Sequence, residues 1–124
     1  FKHKTVRTCC RAPGLLLTDY TLLREARNQV MNSGQRYFAV MDLSGQIVGT
    51  VSSAMIAKGL QGGADLQVRD VMQSPPLILA ADEDALQAVR YLESGVPLIL
   101  VYEDGQLAGV LDMDSIRLGR ELGI

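Results

Sequence analysis

The stretch Gly105-Gln106-Leu107-Ala108-Gly109 repeats Gly45-Gln46-Ile47-Val48-Gly49, which lies 60 residues earlier. The echo extends toward the N-terminus. Ser94-Gly95, Val101 and Glu103 answer Ser33-Gly34, Val40 and Asp42 at a spacing of 61. Val68-Arg69, Pro75, Leu77 and Leu79 answer Val6-Arg7, Pro13, Leu15 and Leu17 at a spacing of 62. On the C-terminal side Ile116 answers Ile56. The order is kept and the gaps are single residues, so the chain is one pattern written twice.

Each copy carries the same succession of periodicities. Leu15 to Leu17 and Leu77 to Leu79 read as strands entered through a proline, which disfavours helix at the residue before it. Leu23, Ala26 and Val30, and in the second copy Ala85, Ala88, Val89 and Leu92, draw one apolar stripe along a polar helix. Gly34 and Gly95 follow, suited to left-handed helix ends. Tyr37 to Met41 and Leu98 to Tyr102 are almost continuously apolar, the pattern of a strand buried on both faces. Turns at 42–45 and 103–105 lead into strands at Ile47 to Val51 and Leu107 to Leu111. Ser52 or Ser53, and Asp112, stand where they can cap second helices running to about Leu60 and Leu122.

The fold class expected is therefore α/β (α+β): two pseudo-twofold related β-α-β-β-α units packed through their sheets. The expected boundaries are 1–60 for the first unit, 61–67 for a linker around Gly62-Gly63, and 68–124 for the second. Two units of about 60 residues are individually marginal and are expected to share one core.

Composition narrows the function. The 124 residues are 48% apolar and 21% charged, an ordinary globular balance that argues against disorder. Twelve Lys and Arg against 14 Asp and Glu give a net charge of -2, with no basic run to suit nucleic acid. The apolar run Val96 to Tyr102 is far short of the roughly 20 residues that span a bilayer. The chain does not open on a charged-then-apolar leader with a small-residue cleavage site, so no signal peptide is expected, and an opening Phe1 suggests a piece of a longer protein. Cys9 and Cys10 are neighbours and cannot tie distant parts of the fold together, which fits a reducing, cytoplasmic compartment. A thiol sensor or a metal site at this pair lacks a supporting ligand cluster, and the second copy has Val71 and Met72 there, so small buried hydrophobes are expected. Asp82-Glu83-Asp84 precedes a helix, where acidic residues favour the positive end of the dipole. Met31, Met41, Met55, Met72 and Met113 are expected as core or cleft fillers.

Val68-Arg69-Asp70-Val71-Met72, then Pro75, Val96-Pro97-Leu98-Ile99-Leu100-Val101, Glu103-Asp104-Gly105 and Gly109-Val110-Leu111 resemble the cystathionine-beta-synthase (CBS) domain, with its V-x-D-V-M, h-P-V-V-D-x-D-G and G-h-h-T-x-x-D motifs. The first copy is looser, with Thr8-Cys9-Cys10 and Tyr37-Phe38-Ala39-Val40 at the matching positions. The resemblance implies a tandem pair, or Bateman module, whose cleft between repeats senses an adenosine-containing ligand. It also implies control of an attached enzyme or transporter and pairing as a homodimer. Ser33 to Phe38 and Arg120 to Ile124 further resemble the C-terminal pair of membrane-embedded site-2-type zinc metalloproteases. The single histidine places any such catalysis outside this segment.

In the family the last Asp of G-h-h-T-x-x-D holds the ribose hydroxyls. Here the first copy has Ser52 and Met55 at the Thr and Asp positions, and the second has Asp112 and Ser115, with Asp114 one residue early. The candidate ligand-binding set implied is Ser52, Met55, Asp112, Asp114, Ser115, Val96, Pro97, Tyr37 and Phe38, with no catalytic or metal-ligating residue. A thioether cannot clamp a diol. In the family the Thr hydroxyl commonly lies near the ligand's phosphates at the helix N-terminus, so the resemblance implies that Asp112 faces them, and a carboxylate about 4 Å from a phosphate charge costs on the order of 4 kcal/mol at an effective dielectric of 20. The site using Asp112 is therefore expected to reject polyphosphates and to take a neutral nucleoside or S-adenosylmethionine, with no cofactor required. Ser52 and Asp112 as plain helix caps, and the pair as a dimerisation or docking scaffold without ligand, are the alternatives.

Overall fold

The computed structural model describes residues 1, 3–63 and 65–124. Ala64, inside the expected linker, lies outside the described residues. In chain order the elements are α1 (Val6–Cys9), β1 (Leu17–Thr18), α2 (Leu23–Ser33), β2 (Tyr37–Met41), β3 (Ile47–Ser52), α3 (Ser53–Leu60), a 3-10 turn (Val68–Asp70), β4 (Leu77–Ala80), α4 (Ala85–Glu93), β5 (Ile99–Glu103), β6 (Gln106–Leu111) and α5 (Met113–Glu121). The fold is mixed α and β, with two three-stranded sheets ordered β1-β2-β3 and β4-β5-β6.

The two sheets share one plan. β1 runs parallel to β2 and β4 parallel to β5, each pair needing a helical crossover, whereas β3 and β6 return antiparallel through short turns. The register slips once in each antiparallel pair, after Val40 and after Val101, which the repeat places at the same point. The turns account for one of the single-residue gaps. Asp42 Oδ1 accepts the Ser44 and Gln46 N–H groups at 2.9 and 3.0 Å, while the shorter second turn places Asp104 and Gly105 at positive φ.

The chain forms two compact units, 14–76 and 1–13 with 77–124. These cut across the expected division at 60 and 68. Backbone hydrogen bonds are the reason. Val6 and Arg7 N–H donate to Glu83 and Ala81, and Arg11 exchanges two bonds with Val110, so the opening segment of the first repeat belongs to the β4–β6 unit. In return Val68 and Arg69 N–H donate to Thr21 and Asp19, and Leu66 accepts from Leu23. Leu66 and Gln67, expected as linker, are thus part of the β1–β3 unit. Neither α1 nor the 3-10 turn was expected, because three or four residues are too few for an apolar period to show.

Within the β1–β3 unit, Leu23 and Ala26 of α2 and Ile56 of α3 cover Phe38, Val40 and Val51. Within the β4–β6 unit, Ala85, Ala88, Val89 and Leu92 of α4 and Ile116 of α5 cover Ile99, Val101 and Leu111. The helical stripes read from the sequence are these core residues. Gly34 ends α2 in the left-handed conformation at φ 69°, and Asp84 caps α4 by accepting the Leu86 N–H at 2.9 Å. Met41, Met55, Met72 and Met113 are half-buried, as fillers should be, but Met31 is 76% exposed. It lies one position beyond the stripe of α2, so the helix turns it to solvent.

Candidate functional site

The β4–β6 unit contains a pocket of 260 Å³ between the opening segment and α5. Thr8, Cys9, Cys10 and Arg11 form one wall; Asp114, Ser115, Leu118, Gly119 and Leu122 form the other, with Ile124 at the end. The spacing 115, 118, 119 and 122 is one face of a helix, which is why α5 can present a continuous wall. The surface is mainly apolar, with Asp114 and Ser115 at the first turn of α5 and Arg11 opposite. Small-molecule pockets typically hold roughly 300–1,000 Å³, so this volume suits one compact ligand.

Beneath that first turn Asp112 is only 1% exposed. Its Oδ1 accepts the Ser115 N–H at 2.8 Å and the Ser115 hydroxyl at 3.0 Å, which makes it the cap of α5. Its Oδ2 accepts two N–H groups of Arg11, Nη2 at 2.6 Å and Nε at 3.1 Å. A third guanidinium donor, Nη1, reaches the Ala12 carbonyl at 2.9 Å. The carboxylate is therefore both cap and half of an ion pair, charge-assisted on each oxygen.

Burial pushes the Cys9 and Cys10 thiols above their usual range, so both remain protonated at neutral pH and are poor nucleophiles. Cys9 is buried in the core, whereas Cys10 is half-buried with its Sγ 3.5 Å from the Arg7 carbonyl oxygen. No group of three metal-ligating side chains occurs among the described residues.

The structure thus brings Asp112, Asp114 and Ser115 together. Asp114, one residue early for the family motif, lines the pocket, with the Arg117 guanidinium 3.5 Å away. Val96 packs against the β4–β6 core and Pro97 is buried beside it. In the β1–β3 unit Ser52 caps α3 by accepting the Met55 N–H at 3.1 Å, and Met55 packs against the core. Tyr37 is half-buried. Phe38 is wholly buried at 0% exposure in the core, which leaves it no surface for a ligand. The sequence reading missed Arg11, 101 residues from its partner. The available signal was Asp112 itself, a charge at a buried position that required a cation.

Residues 68–118 match the CBS domain family. Similar solved structures include a conserved CBS domain protein of unknown function from Thermoplasma acidophilum, 21% identical over 93% of this chain and 68% of that one, with a TM-score of 0.80. An uncharacterized conserved protein from Pyrococcus horikoshii is 17% identical over 94% and 91% of the two chains, with a TM-score of 0.79. The CBS domain pair of protein MJ0100, in complex with 5-methylthioadenosine and S-adenosyl-L-methionine, is 19% identical over 97% and 96%, at 0.74. CBSX2 in complex with AMP is 21% identical over 97% and 98%, at 0.72. Among curated proteins none matches the sequence. The CBS match is thus carried by residues 68–118, and the chain as a whole has the fold of a CBS-domain pair. No helix of the described residues is long and apolar enough to cross a membrane.

Proposed function

We propose that the chain is a regulatory, non-catalytic module that senses an adenosine-containing ligand and passes its occupancy to an attached enzyme or transporter domain. The observation that carries this reading is the pocket of the β4–β6 unit, where an apolar wall for a base meets the polar first turn of α5. The MJ0100 pair with methylthioadenosine and S-adenosylmethionine, and CBSX2 with AMP, support the ligand class. Ser115 supplies a hydroxyl where the family has its ribose carboxylate, and Asp114 offers the nearest carboxylate to a diol or a cationic centre.

Regulation then works by linkage: a ligand that binds one arrangement of the module more tightly shifts the population toward it and biases whatever is attached. A homodimer in the reducing cytoplasm is the assembly and setting that go with this reading. The test is thermal unfolding with adenosine, 5-methylthioadenosine, S-adenosylmethionine and AMP, each added separately. A ligand at 100 times its dissociation constant stabilises by about 2.7 kcal/mol. Stabilisation by at least one of them is expected, and no shift with any would leave the docking scaffold as the better reading.

A further inference from the structure

We infer that Asp112 is a built-in anion that makes this pocket select ligands without a phosphate group, and that Arg11 is the cation it withholds. The inference rests on the proposed adenosine-type ligand, but its core, the occupied anion-binding corner, is a statement about the protein alone. The corner has two features that favour an incoming anion: the N-terminus of the nine-residue helix α5, and a guanidinium on the facing segment. The Asp112 side chain engages both, while a further Arg11 donor goes to the Ala12 carbonyl. The Ser115 N–H and hydroxyl go to one carboxylate oxygen, and two Arg11 N–H groups go to the other. A phosphate entering here would have to displace a buried, fully hydrogen-bonded carboxylate. It would also meet the carboxylate of Asp114 at the pocket wall.

The counterpart corner of the β1–β3 unit shows that the backbone does not require this chemistry. There Ser52 caps the helix and Gln73 occupies the place of Arg11, with no charge at either position. The charged pair is thus an addition of side chains to a common frame, and its effect is on charge selection. The ligand class it leaves open is a neutral or cationic nucleoside, including a thioether or a sulfonium.

The experiment compares wild type, D112T, D112N and the double variant R11M/D112T by calorimetric titration with adenosine, 5-methylthioadenosine and AMP. Thermal unfolding in millimolar inorganic phosphate is measured in parallel. Wild type should bind adenosine at least about tenfold more tightly than AMP and should not respond to phosphate. D112T retains a helix cap but removes the carboxylate that accepts two Arg11 N–H groups, so AMP should gain at least about tenfold and phosphate should raise the melting temperature. Adding R11M should abolish both gains. D112N, which also removes the charge, serves if D112T does not fold. AMP binding to wild type as tightly as adenosine overturns the inference. So does a folded Asp112 variant with no gain toward AMP or phosphate. If phosphate stabilises D112T while no adenosine compound binds any variant, the withheld anion site stands and the adenosine reading falls.

Discussion

The corner where β6 meets α5 and the corner where β3 meets α3 have the same backbone and different side chains. In the first, Arg11 and Val110 exchange N–H···O bonds of 2.9 and 2.8 Å; in the second, Gln73 and Thr50 exchange bonds of 2.8 and 3.0 Å. In each the opening segment of one repeat crosses the motif strand of the other. The first corner then adds a part-buried ion pair, where the second has Ser52 and an exposed Gln73. Even the strand interior differs, since Thr50 carries a buried hydroxyl with no partner among the described residues where Val110 is apolar. The repeat therefore conserves a crossing of two backbones, while the chemistry around it has diverged.

The largest expected effect tests what the corners share. A Cβ on Gly109 would lie 2.7 Å from the Arg11 carbonyl oxygen and 2.8 Å from the Cys10 Sγ; on Gly49 it would lie 2.8 Å from the Gln73 carbonyl oxygen and 2.6 Å from the Met72 Sδ. In both cases one obstacle is backbone, which cannot swing aside. Gly109→Ala and Gly49→Ala should each destabilise by about 3 kcal/mol, the upper part of the range for overpacking. Denaturant unfolding of the two variants measures it. A cost near zero in one and not the other would show that the crossings are not equivalent.

The next effect tests what the corners do not share. Arg11→Ala leaves the buried Asp112 carboxylate with only the Ser115 donors. Breaking a fully buried pair costs about 3–5 kcal/mol, but the Arg11 side chain is 32% exposed, so solvent screening reduces the expected loss to about 2 kcal/mol. Gln73→Ala, at the matching position, should stay within about 0.5 kcal/mol. The double variant R11Q/D112S transplants the β1–β3 chemistry and should recover most of the loss. A recovery no better than R11A alone would mean that the pair shapes its surroundings beyond its own charges.

Much of the fold was legible because it rests on periodicity. The alternating and continuous apolar runs placed β2 at its observed residues and β3, β5 and β6 within one residue at each end. Repetition at 60 to 62 residues gave two matching sheets. The exchange of opening segments was not legible, since it depends on which strand Arg11 and Gln73 cross, and nothing local encodes that. The same is true of the site. Ser52, Met55, Asp112, Asp114 and Ser115 follow from aligning one motif, whereas Arg11 and the thiol wall enter only through the crossing. Phe38 was misplaced because alternation along β2 turns it to the helical core, away from its neighbour Tyr37.

The smallest effect is confined to one corner. Cys9 and Cys10 correspond in the repeat to Val71 and Met72, which do not titrate. Burial raises both thiols above their ordinary value of 9.0, because the folded surroundings disfavour the thiolate. A group whose folded pKa is raised binds its proton more tightly when folded than when unfolded. Its stabilising contribution is therefore fully present below the unfolded value and is lost as pH rises through the folded one. Unfolding free energy should fall from about pH 9 upward. The variant C9V/C10M, which writes the second repeat's residues into the first, should lose that part of the alkaline decline while keeping the crossing bonds of Arg11 to Val110. An alkaline decline unchanged in C9V/C10M would place the titrating group elsewhere and detach the thiols from the stability of this corner.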